Sequence, residues 1–320
     1  MPATGTFGSL TKMYIFGVHF TDDGHGISDV VTKSCPCLQD LELHTMEGLK
    51  MMFLISQSIL SLRLIRILDL ERLVVMASKL KEMQVAKCFA LTTEPTSMVL
   101  SLLVLERLHW QDSSPGEINY LSLPSQLLKL SIIELPPAYL VLCEGHRSHC
   151  TRILRIFERV GTLHLEMPVA PAYAEQRVLI ANINRHFFSE LDLTLHKVAD
   201  HWFSPTIINL LSRCYWVTML SLQIVENTGP SCDANCDCRT LQTWGDRRIT
   251  LDYLRFFAMK NFSGTPDETY FTCHIVENAK ALRKVALGFS VGAKPTEVFL
   301  YDLHRLAPSG CTVEYSGIPI

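Results

Sequence analysis

The sequence predicts an α/β repeat fold. Short strands stack into a parallel β-sheet as a curved solenoid, with short helices or strands on the opposite face. Three observations predict it. A motif of one apolar residue, two variable residues, then apolar, variable, apolar recurs along all 320 residues. Its matches are regularly spaced. A composition of 48% hydrophobic and 19% charged residues supplies apolar side chains for a large core and is unlike that of a disordered chain.

In chain order the motif reads LTKMYI, LQDLEL, ILSLRL, LERLVV, LKEMQV, LERLHW, LLKLSI, VGTLHL, FSELDL, VTMLSL, LRFFAM and LRKVAL. Its second apolar position falls at Met13, Leu41, Leu62, Leu73, Met83, Leu108, Leu130, Leu163, Leu191, Leu220, Phe257 and Val285. With Leu73 set aside as a half-repeat, the intervals are 28, 21, 21, 25, 22, 33, 28, 29, 37 and 28. Eight of these ten lie in the range of a leucine-rich repeat, ~20 to 29 residues. The marker and the residue two beyond it alternate with a variable residue, so both point inward from a short strand. One strand cannot bury that face alone, and stacking closes a continuous apolar column. Leucines so spaced also partly mimic a helical stripe. Strands are favoured by endings such as Leu73-Val74-Val75 and Leu130-Ser131-Ile132-Ile133, with Pro, Gly and Ser between them. Leu62, Leu73 and Met83 are too close for strand-plus-helix repeats, so Leu73 is expected on a strand of the opposite face. Val18, Met46, Ile67, Val225 and Phe262 stand where a repeat of this kind carries Asn or Cys, which predicts a hydrophobic ladder at the turn.

The outward residues Glu42, Arg63, Gln84, His164, Asp192 and Gln223 are expected to form a long surface of mixed chemistry, suited to gripping a protein target. The 29 Lys and Arg against 32 Asp and Glu give a net charge of -3 with no basic cluster, which argues against a nucleic-acid partner. Apolar runs such as Ser101 to Leu105 are far short of the ~20 residues that span a bilayer, so no membrane partner is expected. The N-terminus lacks the features of a secretory signal. The eleven cysteines are an odd number and are read mainly as reduced, buried hydrophobes of an intracellular protein, cytoplasmic or nuclear.

Two clusters offer metal-ligand chemistry. CEGHRSHC, Cys143 to Cys150, places all its thiols and imidazoles on one short stretch, whereas a closed zinc site draws on separated pairs. CDANCDC holds Cys232, Cys236 and Cys238, metal candidates that lack a local fourth ligand and otherwise form a loop insertion. The expectation is no metal and no cofactor. No phosphate-loop, dinucleotide, nucleophile-elbow or zinc-protease motif occurs, so no catalytic residue is assigned and the chain is not expected to be an enzyme.

From Ile249 to Leu287 the sequence runs ITLDYLRFFAMKNFSGTPDETYFTCHIVENAKALRKVAL. Thr265 is a natural N-cap, Pro266 suits the first helical position and Glu268 completes a capping box. Phe271, Ile275, Ala279 and Leu282 then make one apolar helical face. The order L-x-x-L, N-F-S-G, I-V-E-N-A, L-R-K-V resembles the FBD region that closes many plant F-box proteins with leucine-rich repeats. The Cys-x-x-x-Cys-x-Cys run, Trp244 and the stretch Ser56 to Val85 are also similar to that family. The resemblance implies the substrate-recognition part of a cullin-RING ubiquitin-ligase receptor. The family's N-terminal F-box is not seen, since Met1 leads within ten residues into LTKMYI, so a Skp-type adaptor is expected as a partner only where an F-box is restored. The expected organisation is a leucine-rich-repeat solenoid over 1–225, a Cys-containing insertion over 226–248, and an FBD-like repeat and cap over 249–320. The expected function is a non-catalytic protein-binding module. The alternatives are an extracellular or receptor-type leucine-rich-repeat module and a metal-binding protein.

Overall fold

The structure is a computed structural model that describes residues 5–21, 25–89, 96–112, 115–133, 151–157, 159–169, 183, 188–198, 200–227, 249–293 and 295–317. The fold is α/β with a mostly parallel sheet, and the described residues hold sixteen strands and few helices. The chain divides into two compact units, Met1–Val160 and Gly161–Ile320.

In the first unit the chain alternates between two sheets. Strands β1 (Lys12–Phe16), β2 (Asp40–Met46), β4 (Ser61–Ile67), β6 (Glu82–Ala86), β8 (Arg107–Gln111) and β10 (Leu127–Ile133) pair in that order. Strands β3 (Met51–Ser56), β5 (Arg72–Ala77), β7 (Ser97–Ser101) and β9 (Glu117–Ser122) form the second sheet. Leu62 and Met83 lie on the first sheet and Leu73 on the second, where its strand pairs with β3 and β7. Intervals of 21 to 25 residues leave room for a second strand and two turns but not for a packed helix. Leu41, Leu43, Leu62, Leu64, Met83 and Val85 of one sheet and Met52, Leu54, Leu73, Val75, Met98 and Leu100 of the other are all buried. Helices α1 (His25–Asp29) and α2 (Thr151–Ile156) are short.

In the second unit β11 (Val160–Val169), β12 (Glu190–Val198), β13 (Met219–Asn227), β14 (Phe256–Phe262), β15 (Lys284–Phe289) and β16 (Thr312–Ser316) pair in sequence order, all parallel. Helices α3 (Ser204–Leu211), α4 (Pro266–Asn278) and α5 (Glu297–Leu306) occupy the longer intervals. Leu163, Leu165, Leu191, Leu193, Leu220 and Leu222 are buried, as the alternation requires. The capping box at α4 is formed. The Thr265 hydroxyl accepts from the Glu268 N–H, and the Glu268 carboxylate accepts from the Thr265 N–H at 2.9 Å. Phe271 of this helix lies between Phe203 and Phe257, with ring centroids 5.3 and 6.3 Å away in edge-on geometry.

A ladder of shared acceptors joins the repeats where each strand begins. The carbonyls of Thr11, Gln39, Leu60, Lys81 and Glu106 each accept from two consecutive N–H groups of the following repeat at 2.8 to 3.1 Å. In the second unit Ser189, Thr218 and Arg255 do the same at 2.8 to 3.2 Å. Strand exits obey a different rule. Gly17, Thr45, Arg66, Lys87, Asn261 and Gly317 have φ between 51° and 80°, each four residues past the inward marker of its strand. A left-handed residue breaks the two-residue alternation, so the next side chain turns inward. Met46, Ile67, Cys88 and Phe262 are thereby buried, which makes the exit ladder largely hydrophobic. Val18, two residues past the end of the edge strand β1, is only half-buried. Val225 is half-buried because β13 keeps its alternation and buries Ile224 instead.

Unbroken alternation in β12 also carries Lys197 inward, where only 5% of it is exposed. Its charge acts on Asp267 and Glu268 at the start of α4. Asp267 caps a neighbouring helix, because its carboxylate accepts from the Phe203 N–H at 2.7 Å, the Ser204 N–H and the Ser204 hydroxyl. Burial lifts its carboxyl from 3.8 to about 6, and these donors and Lys197 oppose the rise. At β8, the buried Asp112 carboxylate accepts the N–H groups of Cys88 and Phe89, two donors that leave the ladder at the exit of β6.

Three experiments test this packing. Thr265→Ala is expected to cost ~1 kcal/mol in denaturant titrations, and Phe271→Ala ~3 to 5 kcal/mol. Leu191→Asp places an unpaired charge in the column and is expected to unfold its neighbouring repeats. The folded state holds the Asp267 proton more tightly than the unfolded state. Its stabilising contribution is therefore complete below about pH 4 and is lost as the pH rises through about 6. The denaturation midpoint is expected to fall over this window in the parent chain and to fall less in Asp267→Asn.

Candidate binding surface

The inward rule at each marker fixes the outward rule one residue later. In the first unit the register aligns Tyr14, Glu42, Arg63, Gln84, His109 and Ser131 in one row across β1, β2, β4, β6, β8 and β10. Glu42, Arg63 and Gln84 therefore sit side by side as expected from sequence. Tyr14, His109 and Ser131 belong to the same row and follow from the same position, one past Met13, Leu108 and Leu130. A second row runs Lys12, Asp40, Ser61, Glu82, Arg107 and Lys129.

These rows are laced by ion pairs between adjacent strands. Lys12 meets Asp40 at 3.0 Å, Arg63 meets Glu42 at 3.1 Å, and Arg107 pairs with Glu82, while within β2 His44 meets Glu42 at 2.9 Å. The hydrogen bond and charge of Asp40 raise the Lys12 pKa, and those of Glu82 raise the Arg107 pKa. Two shallow clefts of ≈ 300 Å³ open on this face. Lys12, Tyr14, Asp40, Glu42 and Arg63 line one, and Gln84, Arg107, His109, Lys129 and Ser131 line the other. Their walls mix apolar surface with charges of both signs, and both clefts are open, a surface for several simultaneous contacts and not for one enclosed ligand.

In the second unit His164 and Asp192 are register partners joined at 3.0 Å, and their row continues through Ser221, Ala258, Ala286 and Glu314. Gln223 lies in the next row, with Glu166, Thr194, Lys260, Gly288 and Ser316, because it stands three residues past its marker and not one. Glu166 accepts from or pairs with His196 at 2.7 Å, and the Thr162 hydroxyl donates to Glu190 at 2.7 Å.

The clusters Cys143 to Cys150 and Cys232, Cys236 and Cys238 lie outside the described residues. Among the described residues no group of three His, Cys, Asp or Glu side chains is placed to hold a metal ion. The described thiols of Cys35, Cys88 and Cys214 are buried, and burial pushes the Cys214 thiol up to about 12 and Cys88 well above its ordinary value. No helix among the described residues is long and apolar enough to cross a membrane. Comparison of the chain with family models, with curated proteins and with solved structures finds no match in any of the three.

Glu42 joins Arg63 and His44 at a half-exposed site, where such pairs add little to stability. Glu42→Gln is expected to cost less than about 1 kcal/mol in denaturant titrations. A larger loss would show that the bridge is structural and the row is not available to a partner.

Proposed function

We propose that the chain is an intracellular, non-catalytic protein-binding module, a curved leucine-rich-repeat solenoid akin to the substrate-recognition part of an F-box ubiquitin-ligase receptor. The observation that carries this reading is the row Tyr14, Glu42, Arg63, Gln84 and His109, five outward side chains in one unbroken parallel register that ends at the buried Ser131. Such a row offers an aromatic ring, both charges and hydroxyl and amide donors on a backbone that neighbouring strands hold rigid. Protein interfaces draw on these groups. The repeat spacing and the buried markers support the solenoid, and the motifs of the FBD-like segment support the family likeness. The odd count of eleven cysteines supports a reducing compartment.

The test is affinity capture with the full chain from an extract of its own source, with cross-linking to map the interface. Cross-links are expected on β1, β2, β4 and β6. Capture is expected to be lost with Tyr14→Ala combined with Arg63→Glu, and retained with Ile55→Ser, which alters the exposed side of the second sheet. A chain that captures no partner, or a partner indifferent to the double variant, would overturn the proposal.

A further inference from the structure

The strand-entry ladder carries side chains as well as carbonyls, and in the first unit these side chains are matched by charge. Lys50 stands next to Glu71 and Lys81 next to Glu106 at successive entry positions, each pair joined at 3.0 Å. In the second unit two successive entry positions carry Arg255 and Arg283. The Arg283 N–H donates to the Arg255 carbonyl at 2.9 Å, so the two residues are immediate neighbours. Like charges placed opposite each other on adjacent strands are destabilising. Both arginines are exposed, and neither has a carboxylate at ion-pair distance among the described residues.

Beside them lies an unusual apolar surface. Trp216 and Tyr253 stand two residues before the entry positions Thr218 and Arg255, with ring centroids 4.9 Å apart and planes inclined by 31°. Trp216 is 52% exposed, Tyr253 48% and the adjoining Tyr215 60%. Rings of this size left half in water, two residues before strand entries where the arginines have no carboxylate at ion-pair distance among the described residues, have the composition of the residues that dominate binding energy at protein interfaces.

We propose that Trp216, Tyr253, Arg255 and Arg283 form a second docking site, which takes an acidic linear peptide segment. Its carboxylates would pair with the two guanidinium groups, whose planar donors match them in twos. An apolar side chain of the same segment covers the ring pair. A polynucleotide suits the site less well, because two arginines with Asp252 close in sequence do not make the longer basic track that phosphate backbones need. The site shares no residue with the outward rows of the first unit, and neither proposal depends on the other.

Fluorescence anisotropy on the full chain tests it, with a labelled peptide of glutamates around a central phenylalanine as the probe. Saturable binding is expected, weakened about tenfold or more by Arg255→Gln combined with Arg283→Gln and by Trp216→Ala. Tyr120→Ser, on the exposed edge of the first unit, should leave it unchanged, and the peptide with lysines in place of glutamates should not bind. Circular dichroism and Tm identify variants that remain folded. Arg255→Lys with Arg283→Lys, which keeps charge but not the planar fork, should fall between the parent and the glutamine pair. Absence of saturable binding, equal binding by a folded glutamine variant, or tighter binding of an oligothymidylate of equal charge would each overturn the proposal.

Discussion

Most repeats in the described sheets depend on a single backbone carbonyl that accepts two N–H groups. At each strand entry the chain must leave a turn and join a parallel neighbour, a point where amide groups would otherwise go unpaired. One acceptor, such as Gln39 for Leu60 and Ser61, satisfies both donors and sets the register in the same step. Everything downstream inherits that register. The marker leucines fall inward, the residues one further on fall outward, and the charged rows of the first unit meet partner for partner. The surface chemistry of Glu42 and Arg63 is thus a consequence of where their strands begin.

Interval length then decides what closes the far side of each repeat. With 14 to 20 residues between consecutive strands of the first sheet from β2 to β10, the chain forms a second strand, as at Leu73. The longer interval between β14 and β15 admits a capped helix whose Phe271 reaches the sheet at Phe257. Polar groups that this packing traps are answered locally. Asp112 takes the amides that Cys88 and Phe89 cannot place in a ladder, and Asp267 caps a helix more than sixty residues earlier in the chain. These carboxylates act as substitutes for backbone acceptors, which explains their burial where few charges are buried among the described residues.

The elements most legible in sequence were those with a period. The marker leucines, the strand at Leu73 and the capping box at Thr265 follow from spacing and residue type alone. The alignment of the outward residues was less legible, because it depends on counting from the marker. Gln223 was two positions too far along, while Tyr14 and His109 occupied the equivalent position unnoticed. Buried Lys197 carries no local signal, since its inward direction results from β12 continuing its alternation where β2 and β4 break theirs. Asp267 and Asp112 were equally hidden, for their partners are set by tertiary packing. The Trp216 and Tyr253 pair spans an interval of 37 residues between markers, and nothing short of the register brings those rings together.

The left-handed residues at the strand exits bear on how the array comes apart. Glycine takes this conformation freely at positions 17 and 317, but Thr45, Arg66 and Lys87 adopt it at a cost of ~1 kcal/mol or more each. That cost is tolerated because Met46, Ile67 and Cys88 gain buried positions by it, and each burial relies on the repeat next door. Removing a neighbour takes away the gain and leaves the cost. A breach at one end would therefore weaken the adjoining repeat in turn, so that the first unit would unzip repeat by repeat from its margins and resist opening at its middle.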